Sequence, residues 1–518
     1  MDSTASKHKY KHVVVHAIPG GWGHNKPLCA FIVRMLEEQP DVVITYLTAS
    51  AIYSKIMGEF KRLELARFAA IESRLNIMDI AGPDFDIMKP LLTFAPSLAA
   101  LCASGSVTCL TTKKIISGLP PPTLAIIDPF AAYAFESIRP IAGDSIRILA
   151  WWTATAGSLF RIFGPAHLGG VADPTLETVE GRAAMKKKLF AREQIEWHDC
   201  VGNVVNIAGI EPAYDYEWFP QKTPILPIAA FLEKTGSIYA READGLISVS
   251  AHAFEPEGVA ALKEWYTSMG KDCYTVGPLS IHASGDQSSN SVPTENETDS
   301  LVNAFLDRIQ EEFGNQSLTY MSFGTVFWPE DSERVWAVLD GLIEKRQPFL
   351  FSHPSPFQKF PDEMKKKIEA SGIAMELRWS PQELILKHPV TGWFITHGGW
   401  NSMTEAFIHR VPLIFWPFHA DQPYNAMRML TLKAGFELVE VRTGPVGARI
   451  PYKCKELPAF TPESAKAEIM SLVEKLKQEE GIVVRKNFEA VANAISKAWD
   501  VSDGQSRKDF LAMLKKFA

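Results

Sequence analysis

From Trp379 to Gln422 the chain reads WSPQELILKHPVTGWFITHGGWNSMTEAFIHRVPLIFWPFHADQ. The apolar run Gly392 to Thr396 reads as a strand, stops at His397-Gly398-Gly399, and is followed by Trp400-Asn401-Ser402 opening a helical pattern. A Gly-rich turn between strand and helix lets the backbone come close to an anion, and the helix N-terminus supplies free N–H groups and the positive end of its dipole. His397, Asn401 and Ser402 add side-chain donors, and Glu405, one turn on, places a carboxylate within reach of sugar hydroxyls. A tight strand–helix connection with no ligand accounts equally well for the Gly-rich turn taken alone. Its company tips the reading: Trp379 offers a flat face for a nucleobase, and Asp421-Gln422 follows the next strand at the carboxyl edge where open α/β sheets bind ligands.

Working outward, short β-branched runs alternate with longer helical patterns. Val13 to Ile18, Val42 to Leu47 and Leu124 to Ile127 are such runs in the first half, and Leu318 to Phe323, Pro348 to Phe351, Thr391 to Thr396 and Leu413 to Trp416 repeat the pattern in the second. The alternation predicts parallel βαβ units and two doubly wound domains, which also suits a chain of 518 residues. The boundaries drawn are a first domain 1–278, a polar interdomain linker 279–300, a second domain 301–485, and C-terminal helices 486–518 packing back on the first domain. Composition is that of an ordinary globular protein, and the formal charge of −7 disfavours nucleic-acid and anionic-membrane partners. Six scattered cysteines without C-x-x-C spacing suit reduced thiols in a cytoplasmic protein. The polar start runs straight into the apolar stretch His12 to Ile18, which is too short for the apolar region of a secretory signal, and no uninterrupted apolar run of 18 residues predicts a membrane span. The N-x-S/T triplets at Asn296 and Asn315 then read as chance.

A second constellation lies near the start. The first strand runs into PGGWGHNKP, placing His24 in a Gly-rich loop, and the run TLAII ends directly in Asp128, at the same edge of another strand. An imidazole hydrogen-bonded to a carboxylate has its tautomer fixed and its protonated form stabilised, as a general base requires. Three rival signals are weaker. His8, His12 and His16 have helical metal-site spacing, but Val13 to Val15 argue for a strand; Asp84-Phe85-Asp86 mimics a metal-binding D-x-D and is only a tripeptide; Gly21-Trp22-Gly23 begins a dinucleotide fingerprint that Lys26 leaves incomplete.

The 44 residues quoted first resemble the signature box of the UDP-dependent glycosyltransferases, best known from plant secondary metabolism: W-x-P-Q, H-x-x-x-G-x-F-x-T-H, G-W-N-S, the Glu, V-P and the closing D-Q fall at the family's spacing. The resemblance extends to S-F-G-T at Ser322 to Thr325, A-D-G at Ala243 to Gly245 and V-G-P-L before the linker. It implies a GT-B fold, two Rossmann-like domains facing a central cleft. It further implies that Trp379 stacks on uracil, that Gln382 and Glu405 hold the ribose, that Thr325, His397, Gly399, Asn401 and Ser402 line the diphosphate, and that Trp400, Asp421 and Gln422 meet the sugar. The final Gln leans toward glucose, and Thr153 matches a position that touches the sugar. In G-H-x-x-P the family carries its catalytic base, so His24 would deprotonate an acceptor hydroxyl with Asp128 as partner, inverting the anomeric configuration. No cofactor or metal is expected, since the helix N-terminus at Asn401 and the His397 side chain can stabilise departing UDP. The partners implied are a UDP-sugar and a small lipophilic acceptor, phenolic, sterol or terpenoid; the acceptor is expected against the apolar stretches Phe85 to Leu110 and Trp151 to Phe163, which a structural core explains equally well, and the oligomeric state is left open with a monomer favoured. Two departures, Gly398 in place of the plant Cys, a sterically mild change, and His409-Arg410 in place of small residues, point to a fungal or other non-plant member. The alternative carried alongside is a non-catalytic UDP-sugar sensor, with a Rossmann oxidoreductase a distant third.

Overall fold

A computed structural model describes residues 10–82, 89–171, 174–190, 200–223, 226–280 and 297–518. Seven strands form the first sheet: β1 (Lys11–His16), β2 (Val42–Thr48), β3 (Leu75–Asp79), β4 (Pro122–Ile127), β5 (Arg147–Trp152), β6 (Gly245–Ser248) and β7 (Asp272–Thr275), in spatial order 7-6-5-4-1-2-3. Six form the second: β8 (Leu318–Ser322), β9 (Phe349–Ser352), β10 (Ala374–Leu377), β11 (Thr391–Thr396), β12 (Leu413–Phe415) and β13 (Gly435–Glu437), in order 10-9-8-11-12-13. Every pairing within both sheets is parallel. Helices cover both faces of such sheets, which is why the interior strands β2 and β11 are buried along their whole length and carry mostly apolar residues. These are the two doubly wound domains predicted from the alternation, in the GT-B arrangement that the family resemblance implies.

The strand orders place the site. In the first sheet the winding reverses between β1 and β4, and in the second between β8 and β11. Ligands of open α/β sheets bind outside the carboxyl ends of the strands at such reversals. His24 follows β1 and Asp128 follows β4; Thr325 follows β8 and His397 follows β11.

Two boundaries differ from the sequence reading. Residues 281–296 of the expected linker lie outside the described residues, and the helix Glu297–Phe313 already begins within it. The division at 485/486 falls inside an unbroken helix, Glu479–Ser496, whose Phe488 stacks on Phe407 of the second domain at 5.1 Å. The return to the first sheet comes later, in the helix Gln505–Phe517, where the Asp509 carboxylate accepts from Thr275 N–H of β7 (2.9 Å) and Phe510 meets Phe31 edge-on.

His12 and His16 lie in β1, with alternate ring partners: His12 bonds the Pro120 carbonyl and Thr45 hydroxyl, and His16 the Leu47 carbonyl and Tyr133 hydroxyl. Burial pushes both imidazoles down to about 4, so they are neutral core groups at ordinary pH. His8 and Asp84-Phe85-Asp86 lie outside the described residues. Among the described residues no helix is long and apolar enough to cross a membrane.

Candidate active site

The helix Trp22–Glu38 begins earlier than its glycines suggest, so His24 stands in its first turn rather than in a loop. Its Nδ1–H donates to Asp128 Oδ2 at 2.7 Å. The Asp128 carboxylate is fully buried and also accepts from the Ile18 and Phe130 N–H groups at 3.3 and 3.0 Å. A carboxylate partner holds the proton on Nδ1, which leaves Nε2 with the basic lone pair. Burial alone would lower the His24 pKa, but the Asp128 charge and hydrogen bond, with Asp421 across the cleft, raise it above the ordinary 6.5. Phe130 lies edge-on to the imidazole at 5.1 Å and packs with Trp152 and Phe163, an aromatic wall beside the base. Thr153 follows Trp152 at the end of β5 and is nearly buried.

Pro27 of the G-H-x-x-P motif sits inside the same helix. Proline has no N–H to give the carbonyl four residues back, so Gly23 O lacks its helical donor. Asn401 supplies one from the other domain: its side-chain amide donates to Gly23 O at 2.7 Å. The sequence reading assigns Asn401 to the diphosphate. In the structure one N–H of that amide joins the start of the helix Trp400–His409 to the turn that carries His24.

The second domain presents the Gly-rich turn. Gly398 has φ +86°, and a Cβ there would meet Phe415 at 2.8 Å, so a cysteine at this position would be strained and crowded. The difference from plant members is therefore coupled to the Phe415 ring, and is not the mild change it seemed from size alone. Gly399 caps the helix Trp400–His409, and Cβ atoms at Gly399 and Gly324 would lie 2.6 and 2.9 Å from the His397 ring, which fits only between glycines. Burial pushes His397 down to about 4, and the ring bonds the Ser322 backbone, so it meets the seat as a neutral imidazole. Thr325 is exposed on the neighbouring turn, and Ser402 lies nearly buried in the first helical turn.

The Trp400 indole is 2% exposed, donates to Val249 O of the first domain at 2.8 Å and packs on Phe254, so the ring is an interdomain contact. Its backbone N–H is held by Asp421 Oδ2 at 3.0 Å. Burial raises the Asp421 pKa, against the Trp400 N–H and the Asn425 amide, which stabilise its charge. Gln422 Oε1 accepts from the Phe418 and His419 N–H groups at 2.9 and 3.4 Å, which orients its NH2 end as a donor. At the other end of the turn, Gln382 Nε2 and Lys26 Nζ hold the two Glu405 oxygens at 2.7 and 2.6 Å, and Trp379 is 57% exposed.

Sequence reasoning missed the seam that holds these halves together. Asn425, fully buried, donates to Gly398 O and Asp421 Oδ2 and accepts from Thr155 of the first domain at 2.8 Å. The Glu255 carboxylate accepts from the Gly157 N–H and the Tyr424 hydroxyl, at 2.9 and 2.8 Å. Partners 169 and 270 residues apart leave no local signal.

Two parallel-sheet domains with their switch points turned toward one cleft, a histidine–carboxylate pair on one side and a glycine-lined helix start on the other, define a GT-B glycosyltransferase. Residues 294–444 match the family model described as UDP-glucoronosyl and UDP-glucosyl transferase. The chain is 28% identical to UDP-glycosyltransferase eriJ of Hericium erinaceus over 97% of its own length and 98% of the relative's. It is 32% identical to the myricetin 3-O-rhamnoside 1,2-glucosyltransferase UGT709G2 of Crocosmia x crocosmiiflora over 82% of both chains. Solved structures share the fold: Medicago truncatula UGT71G1 complexed with UDP-glucose has a TM-score of 0.65 at 19% identity, covering 99% of both chains. Os79 from O. sativa, in complex with a trichothecene, has 0.66 at 18%, covering 98% of this chain and all of the other. The chain belongs to the UDP-glycosyltransferase family, and it is a glycosyltransferase that uses a UDP-sugar.

Proposed function

We propose that this chain transfers glucose from UDP-glucose, with inversion, to a hydroxyl of a small lipophilic acceptor. The observation that carries the reading is the 2.7 Å His24–Asp128 pair at one switch point, facing the glycine-lined helix start at the other. Trp379 stacks on the uracil, Gln382 and Glu405 hold the ribose, and the turn at Thr325, His397, Gly399 and Ser402 receives the diphosphate. Asp421 and the Gln422 NH2 group meet the sugar, with Thr153 approaching from the first domain. The acceptor lies on the Phe130, Trp152 and Phe163 rings, within reach of His24. As its oxygen bonds to the anomeric carbon, its proton passes to His24 Nε2, and the bond to UDP breaks on the opposite face. The backbone N–H groups at the helix start stabilise the charge that UDP carries away. Relatives that act on a myricetin glycoside or bind a trichothecene support a small, ring-bearing acceptor.

UDP release with UDP-glucose and a panel of phenols, sterols and terpenoids, with product masses, tests this. The expected result is turnover by wild type on at least one acceptor, at a mass increase of one hexose. Binding of UDP-glucose with the same negligible turnover by wild type and His24→Ala on every acceptor would instead mark a sensor. Trp379→Ala is expected to weaken UDP binding about 5- to 150-fold, the loss of one base–aromatic stack of about 1–3 kcal/mol, as read by calorimetric titration; unchanged affinity would remove Trp379 from the uracil seat.

A further inference from the structure

Lys26 interrupts what would otherwise be a glycine-rich fingerprint, and its position has a use. It extends from the helix Trp22–Glu38 of the first domain to Glu405 of the second, Nζ to Oε1 at 2.6 Å, with the two side chains only 22% and 16% exposed. Gln382 takes the other carboxylate oxygen at 2.7 Å. Burial works against the ammonium charge, but Glu405, with Glu59 nearby, more than offsets it and raises the Lys26 pKa. A second cross-cleft ion pair, Arg62 with Glu383, lies beside the first and is more exposed. On the reading of Glu405 as a ribose ligand, its carboxylate must sit close to a nucleotide diphosphate, and two like charges in a partly desolvated cleft repel strongly.

We propose that Lys26 is a donor-binding residue lent by the first domain: reaching across the cleft, it offsets the Glu405 charge beside the nucleotide phosphates. UDP affinity then depends on a side chain outside the 44-residue box, and on the two domains being together. The inference rests on the donor seat proposed above.

The test is calorimetric titration of full-length wild type, Lys26→Met, Lys26→Arg, Arg62→Met and Trp379→Ala with UDP and with uridine, each variant first shown to be folded by its thermal melt. Lys26→Met is expected to weaken UDP about tenfold or more, the range of a charge-assisted contact, and uridine by less than about threefold, since uridine has no phosphate charge. Lys26→Arg should restore most of the loss, and Arg62→Met should bind UDP as wild type does. Wild-type UDP affinity in Lys26→Met overturns the proposal. So does an equal loss for UDP and uridine, or an equal loss in Arg62→Met, because either means general loosening of the cleft. If Trp379→Ala weakens UDP while Lys26→Met does not, only Lys26 is misassigned. If neither weakens it, the donor seat itself is wrong.

Discussion

His24→Ala is expected to lower kcat by about 10²–10⁴-fold, roughly 3–5 kcal/mol of barrier, while leaving UDP binding close to wild type. The expectation follows from what the imidazole touches. Its Nδ1–H is committed to the buried Asp128 at 2.7 Å, so the basic Nε2 is the atom left to receive a proton, and the proposed UDP seat draws on other residues. The same geometry fixes the sign of the pH dependence. A base works only when neutral, so kcat/KM falls as pH drops through the His24 pKa, which the Asp128 charge holds above 6.5. In Asp128→Asn that support is gone, so the acid limb moves to lower pH. Asparagine can also donate to Nδ1 and place the imidazole proton on Nε2, so turnover falls as well. An acid limb that does not move in Asp128→Asn would separate the carboxylate from the titrating group.

Glu255→Ala is expected to cost on the order of 3–5 kcal/mol of stability, read as a lower urea midpoint with an unchanged slope. Glu255 is fully buried where the domains meet. It accepts from the Ala156 and Gly157 N–H groups at the start of the helix Ala156–Phe163, from the Ser250 hydroxyl, and from Tyr424 at the start of the helix that carries Gln422. Alanine leaves those donors unpaired out of reach of water, and an unmet buried donor costs about 1–3 kcal/mol. The Tyr424 ring lies so close over Gly157 that a Cβ there would be 2.0 Å from it, so the seam has no slack to repack. A loss below about 1 kcal/mol would mean that water reaches these donors.

Much of the fold was legible because its signals are local. Parallel strands buried on both faces write themselves as β-branched runs such as Val13 to Val15, and the strand, Gly-rich turn and helix at Thr391–His409 announce one another within twenty residues. His24 and Asp128 were legible as a pair because Asp128 directly follows β4 and His24 stands in the connection that leaves β1, and adjacent strands of one sheet bring their ends together. What was not legible depends on which surface faces the other domain. Trp400 reads as a ligand by its place in the box, yet Val249 and Phe254, about 150 residues earlier, claim its indole. Asn401 reads as a phosphate ligand, and no local signal tells that Pro27 frees a carbonyl for one of its amide N–H groups 378 residues away. The boundary at 485 falls inside a helix for the opposite reason: helical periodicity continues through it, and contacts such as Phe488 on Phe407 and Arg485 on Gly392 O tell which domain the helix joins.

The central claim is a direct displacement at the anomeric carbon, assisted by His24. It is tested most directly by the anomeric configuration of the product that wild type and His24→Ala make from UDP-glucose, an α-linked donor, read from the proton NMR coupling of the purified glycoside. The account predicts a β-glucoside from wild type and, at a rate lower by about 10²–10⁴-fold, the same anomer from His24→Ala. An α-glucoside from wild type, or β-glucoside formed equally fast by both proteins, would contradict it.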